Sequence, residues 1–140
     1  MLVARGLLKW PTCVMLRQSQ LDARLREIAI LRVGLLSHAG YEVHQHRRLA
    51  RKVGLADDKV AALTPGADPS ALDERERFVL EFTDQLFHHV KAPSEMFARA
   101  QGYFEPRELA ELVLTVGFYM MVSRFLENFE VDIEPPDILV

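Results

Sequence analysis

Six residues, YEVHQH at positions 41–46, hold a glutamate and two histidines. Glu42 and His46 stand four apart, so on a helix they share a face one turn from each other. At about 100° per residue, with Glu42 at zero, His46 falls near about 40°, Leu49 near about −20° and Val53 near about 20°. His44, Arg47, Arg48, Arg51 and Lys52 fall on the opposite face. Glu42 and His46 are therefore expected to point toward a core. A carboxylate there is costly unless it is paired or hydrogen-bonded. Burial raises a carboxyl pKa and a neighbouring imidazolium lowers it, so such a pair can share a proton and do acid–base work near neutral pH. The plainer alternative is a buried pair that only fixes helix packing.

Glu27 adds a second acid. It lies within LREIAILRVGLL (25–36), the most apolar segment of this part of the chain, on the flank shared by Ile30, Leu31 and Gly34. If it meets His46, then Glu27, Glu42 and His46 form a Glu–His–Glu constellation, and these three are the expected catalytic residues. Otherwise Arg24 or Arg26 would pair Glu27 at the helix surface. Arg32 is a further candidate, as a holder of a substrate carboxylate. Two glutamates and a histidine, with His38 as a fourth ligand, could bind a divalent ion. The chain has neither HExxH nor the Glu-x-x-His pair of di-iron bundles, so no metal is expected. No Gly-rich phosphate loop is present, and no cofactor is expected.

The remaining candidates read as structure. The basic stretch HRRLARK (46–52) is mostly the wet face of one helix, and no second basic or aromatic surface supports nucleic-acid binding. His88-His89 suits a helix C-terminus, where the dipole favours cations. Cys13 is the only cysteine, with no flanking base and no resolving thiol, which rules out an internal disulfide in these 140 residues. Tyr103, Tyr119 and Met120-Met121 read as core or interface.

The elements that must position these residues are helices, since alternating strand patterns of useful length are absent. Helices are expected over about 20–37 with Ser19 as N-cap, 40–53 ending at Gly54, 56–63, 70–90 starting at Ser70, 94–101, and 106–129 with Pro106 at the first position. Trp10-Pro11 marks a break near the start. Pro65, Gly66 and Pro69 make 64–70 a loop, and Pro135-Pro136 keep the 131–140 tail extended. The expected fold is all-α: one domain over 1–140, an orthogonal bundle of about six helices with its core in about 18–130.

Composition agrees with an ordinary globular chain, 49% hydrophobic and 26% charged over 140 residues. A net charge of −3 gives no general attraction for nucleic acid or an anionic membrane. The start of the chain lacks a signal-peptide pattern, and the apolar run 112–122 is shorter than the ~20 residues that span a bilayer. A cytoplasmic protein without nucleic-acid or membrane partners is expected.

The stretch LREIAILRVGLLSHAGYEVHQHRRLARKVGL (25–55) resembles the carboxymuconolactone decarboxylase family, which includes the alkylhydroperoxidase D-like (AhpD-like) proteins. LDERERFVLEFTDQL (72–86) and FEPRELAELVLTVGFYMMVSRFLENFEVDIEP (104–135) agree with it, so the resemblance spans about 18–136. Its centre is a helix rich in Ile, Leu and Arg, then Tyr-Glu-x-x-x-His and a Gly-Leu stop. The peroxidase branch places a glutamate twelve residues before a Cys-x-x-Cys and a histidine four residues after it. By that spacing Glu27 and His46 match the outer pair, while Ala39 and Glu42 stand where the two thiols would be. The disulfide-forming mechanism needs an attacking and a resolving thiol. The resemblance therefore implies the thiol-less, decarboxylase-type branch, acting on a small carboxylate or lactone. It also implies a homo-oligomer, a trimer or hexamer. Two other readings remain open here: a peroxidase-type antioxidant activity, and a non-catalytic oligomeric module.

Overall fold

The computed structural model of the protein describes residues 18–132. The Trp10-Pro11 break, Cys13 and all but the first residues of the extended tail lie outside them. Within them the chain forms six α-helices and no strand. They are α1 (Ala23–Leu36), α2 (Gly40–Lys52), α3 (Asp57–Ala62), α4 (Glu74–His89), α5 (Ser94–Tyr103) and α6 (Pro106–Asn128), with a single 3-10 turn at Pro69–Ala71.

Helix α1 lies at the centre, packed against α2, α4 and α6. Its sequence explains this position: the run IAILRVGLL (28–36) is apolar nearly all round, and such a helix is stable only when covered on several sides. Ile28, Ala29, Ile30 and Val33 are fully buried. Each of the larger ones stabilises the fold by roughly 1.5–3 kcal/mol on leaving water. Phe78, Val79 and Phe82 from α4, and Leu112 and Val116 from α6, complete the core.

Two helix starts differ from the sequence reading. Helix α1 is capped by Asp22, whose carboxylate accepts from the Arg24 and Leu25 N–H groups. Ser19 instead donates to Glu111 Oε2 on α6 at 2.7 Å. Helix α4 starts at Asp73 and not at Ser70, with a reciprocal capping box between Asp73 and Glu76. Pro69 and Ser70 fall in the 3-10 turn. In both cases a serine is followed three residues later by an aspartate, and the aspartate, nearer the helix, does the capping.

The ends of α1 and α2 set the geometry of the site. Both close with the paired backbone bonds of a Schellman motif: Ala39 N–H to Gly34 O with His38 N–H to Leu35 O, and Leu55 N–H to Ala50 O with Gly54 N–H to Arg51 O. Gly54 takes the left-handed position, at φ 85°, in the second motif. His38 takes it in the first, at φ 54°. The tight His38 turn sends α2 back along α1, and Gly34 allows the approach. A Cβ on Gly34 would stand 3.0 Å from a Val43 methyl.

Arg32 is not available to a substrate. Its Nε and Nη2 bond the two carboxylate oxygens of Asp84 on α4 at 2.6 and 2.8 Å, and Nη1 bonds the Leu63 carbonyl at 2.7 Å. The guanidinium clamps α1 to α4 and to the end of α3, which corrects its candidacy as a substrate holder.

Candidate functional site

Three helices bring five polar residues together. Helix α1 supplies Glu27, α2 supplies Glu42 and His46, and α6 supplies Tyr119 and Ser123. Glu27 and Glu42 are each 2% exposed and His46 is 7% exposed. The wheel's other face is wet: His44, Arg47, Arg48, Arg51 and Lys52 are exposed. Leu49 departs from that division, being on the dry side by angle yet 37% exposed.

Glu27 and His46 meet. His46 Nδ1 lies 2.7 Å from Glu27 Oε2, inside the fold. The bond fixes the imidazole and assigns Nδ1 to Glu27, which leaves Nε2 for other chemistry. Of the two surface alternatives for Glu27, Arg24 turns to Asp22 and Arg26 Nε has no hydrogen-bond partner among the described residues.

Glu42 faces the same cluster. Its Oε2 accepts a hydrogen bond from the Ser123 hydroxyl at 2.6 Å. Its Oε1 is buried without a hydrogen-bond partner among the described residues. Burial pushes the Glu42 carboxyl up to about 8; the Ser123 bond opposes the rise and the Glu27 charge adds to it. Glu42 therefore stays a neutral acid at pH 7, although it stands in the first turn of α2, where the dipole favours an anion. A neutral acid beside a carboxylate-oriented imidazole can give and take protons near neutral pH.

Tyr119 and Ser123 were not among the expected site residues. The Tyr119 ring meets the His46 imidazole edge to face, with centroids 5.0 Å apart and planes at 86°. Tyr119 is core, as expected, and also a wall of the site. Ser123 shares the buried side of α6 with a second small hydroxyl, Thr115, which donates to the Glu111 carbonyl of its own helix, so nothing in the sequence sets Ser123 apart. Among the described residues no group of three histidine, cysteine or acidic side chains is arranged to hold a metal ion. His38, the fourth metal ligand considered, is exposed in the α1–α2 turn.

The sequence pattern of the carboxymuconolactone decarboxylase family matches residues 5–85, more than half the chain. The chain belongs to this family. The match holds Glu27, Ala39, Glu42 and His46, and stops before α5 and α6, so Tyr119 and Ser123 lie beyond it. An uncharacterized Bacillus subtilis protein, YdfG, is 22% identical over 103 residues, which cover 72% of this chain and 70% of that protein. A crystal structure of an Agrobacterium tumefaciens protein of unknown function, described as a candidate AhpD antioxidant defence protein, superposes with a TM-score of 0.81. It is 18% identical, and the match covers 94% of this chain and 90% of that one. The likeness extends the shared helical fold through α6. Ala39, at the first thiol position of the peroxidase branch, is fully buried at the start of α2. Glu42, at the second, lies in its first turn.

Proposed function

We propose that this family member is an acid–base enzyme of the decarboxylase kind, acting on a small carboxylate or lactone. One observation carries the reading: a buried His46 held by Glu27 at 2.7 Å, next to a buried Glu42 with an oxygen to spare. Glu27 orients His46. His46 shuttles the proton through Nε2, and Glu42 is the second acid. In decarboxylation the C–CO₂ bond breaks, its electron pair passes into an enolate, and CO₂ leaves. A proton from His46 or Glu42 then quenches the carbanionic carbon, and bulk water restores the acid.

A thiol peroxidase reaction has less support. Alanine and glutamate occupy the thiol positions, and Cys13 is the one cysteine in the 140 residues. The reading also takes a cytoplasmic homo-oligomer, supported by an apolar stripe on the outer face of α6. Leu114 and Met121 are 63% and 53% exposed there, and Phe129, just past the helix end, is 62% exposed; exposed apolar side chains grouped on one face mark a candidate interface.

The test is turnover of carboxymuconolactone, followed as CO₂ release. His46→Ala and Glu42→Gln are expected to lower kcat by about 10²–10⁴-fold while the helical circular dichroism is kept. Equal rates in the wild type and both variants would contradict the assignment.

A further inference from the structure

Glu42 and His46 are one turn apart on α2, and Ser123 and Tyr119 are one turn apart on α6. The two helices thus meet in two rungs. Ser123 donates to Glu42 in one, and the Tyr119 ring abuts His46 in the other. Each rung ends in an oxygen that the fold does not use. Glu42 Oε1 and the Tyr119 hydroxyl are both buried, and neither has a hydrogen-bond partner among the described residues. Tyr119 is 4% exposed. A phenylalanine would pack the same ring against His46 without stranding a hydroxyl, so the hydroxyl's presence in the core calls for a reason.

We propose that Tyr119 is a further catalytic residue of this site, whose hydroxyl together with Glu42 Oε1 holds one oxygen of an enolisable carbonyl substrate, such as a lactone. The inference rests on the acid–base reading above and deepens it. The chemistry of the pair selects the ligand. Glu42 keeps its proton at neutral pH. Burial, then the charges of Glu27 and Glu42, raise the Tyr119 hydroxyl against the opposing charge of Arg26, so it too stays protonated. Two neutral O–H donors match an acceptor with two lone pairs, which a carbonyl or enolate oxygen supplies and an ammonium group does not. As the enolate forms, that oxygen gains charge and both hydrogen bonds strengthen, which favours the transition state over the ground state. Arg26, whose Nε is a third buried donor without a partner, adds positive potential on the Tyr119 side.

The test is Tyr119→Phe in the full chain, with tetronate, the stable enolate of a five-membered lactone, as the calorimetric probe. Wild type is expected to bind tetronate and Tyr119→Phe to bind it about ten- to hundredfold more weakly. The variant's Tm is expected to be unchanged or higher, because no bond of the fold is lost. Equal affinity in the two proteins, no binding by the wild type, or a Tm lower by several degrees would each overturn the proposal. The last would mean that the hydroxyl serves the fold. If His46→Ala and Glu42→Gln lose turnover while Tyr119→Phe keeps both turnover and tetronate affinity, the acid–base reading stands and the role of Tyr119 falls. If those two variants keep turnover, the acid–base reading falls, and tetronate binding still decides whether Tyr119 holds a ligand oxygen.

Discussion

At the scale of single residues, the proposed function rests on Glu42, a carboxyl at the position where the peroxidase branch of the family carries a thiol. Glu42 is held above its ordinary value of 4.5, at about 8, chiefly by burial. A group that binds its proton more tightly folded than unfolded stabilises the fold fully below its unfolded pKa. That contribution is lost as pH rises through the folded one. Glu42 is therefore expected to cost the fold stability progressively between about pH 4.5 and pH 8. Denaturant melts of wild type and Glu42→Gln across that range check this. The difference should grow with pH in favour of glutamine by a few kcal/mol, and a constant difference would mean that Glu42 ionises normally. The wheel angle alone placed Glu42 and His46 on the dry face. The Glu27–His46 contact followed from family spacing and needed the fold to make it concrete. Tyr119 and Ser123 were not legible, because a tyrosine and a serine on an apolar helix look like packing until the facing helix is known.

At the scale of elements, the helices themselves were readable because Gly54, Pro93 and Pro106 punctuate a chain with strong helical periodicity. Their first residues were less so. Asp22 and Asp73 outcompete Ser19 and Ser70 as caps, since a cap must lie within reach of the second and third helical N–H groups and only the fold fixes that count. Asp73→Ala is accordingly expected to destabilise by about 1 kcal/mol, and Ser70→Ala by less than about 0.5 kcal/mol, in paired thermal melts. The turn between α1 and α2 offers a gain. His38 occupies a left-handed position that glycine adopts without strain, so His38→Gly should stabilise by about 0.5–1 kcal/mol and raise Tm by about 2–3 °C. A lower Tm would show that the His38 side chain makes a contact worth more than the strain.

At the scale of the whole molecule, α6 links the site to the surface. By length and composition it could cross a membrane, with mean hydropathy 1.5 over its most apolar window, yet 44% of that window is buried against the rest of the fold. Its inner face carries Tyr119 and Ser123; its outer face carries Leu114 and Met121, with Phe129 just past its end. If the outer face is an interface between copies, Leu114→Glu with Met121→Glu should lower the molar mass measured by light scattering to that of one protomer. An unchanged mass would place the interface elsewhere. All of this gains its functional meaning from one protonation state. Carbon-13 NMR of protein labelled at the glutamate carboxyl carbons, titrated beside Glu42→Gln, measures it directly. The expected result is one carboxyl resonance that titrates near pH 8 and is missing from the variant. A Glu42 resonance that titrates near pH 4.5 would contradict the account, for Glu42 would then be no neutral acid at pH 7.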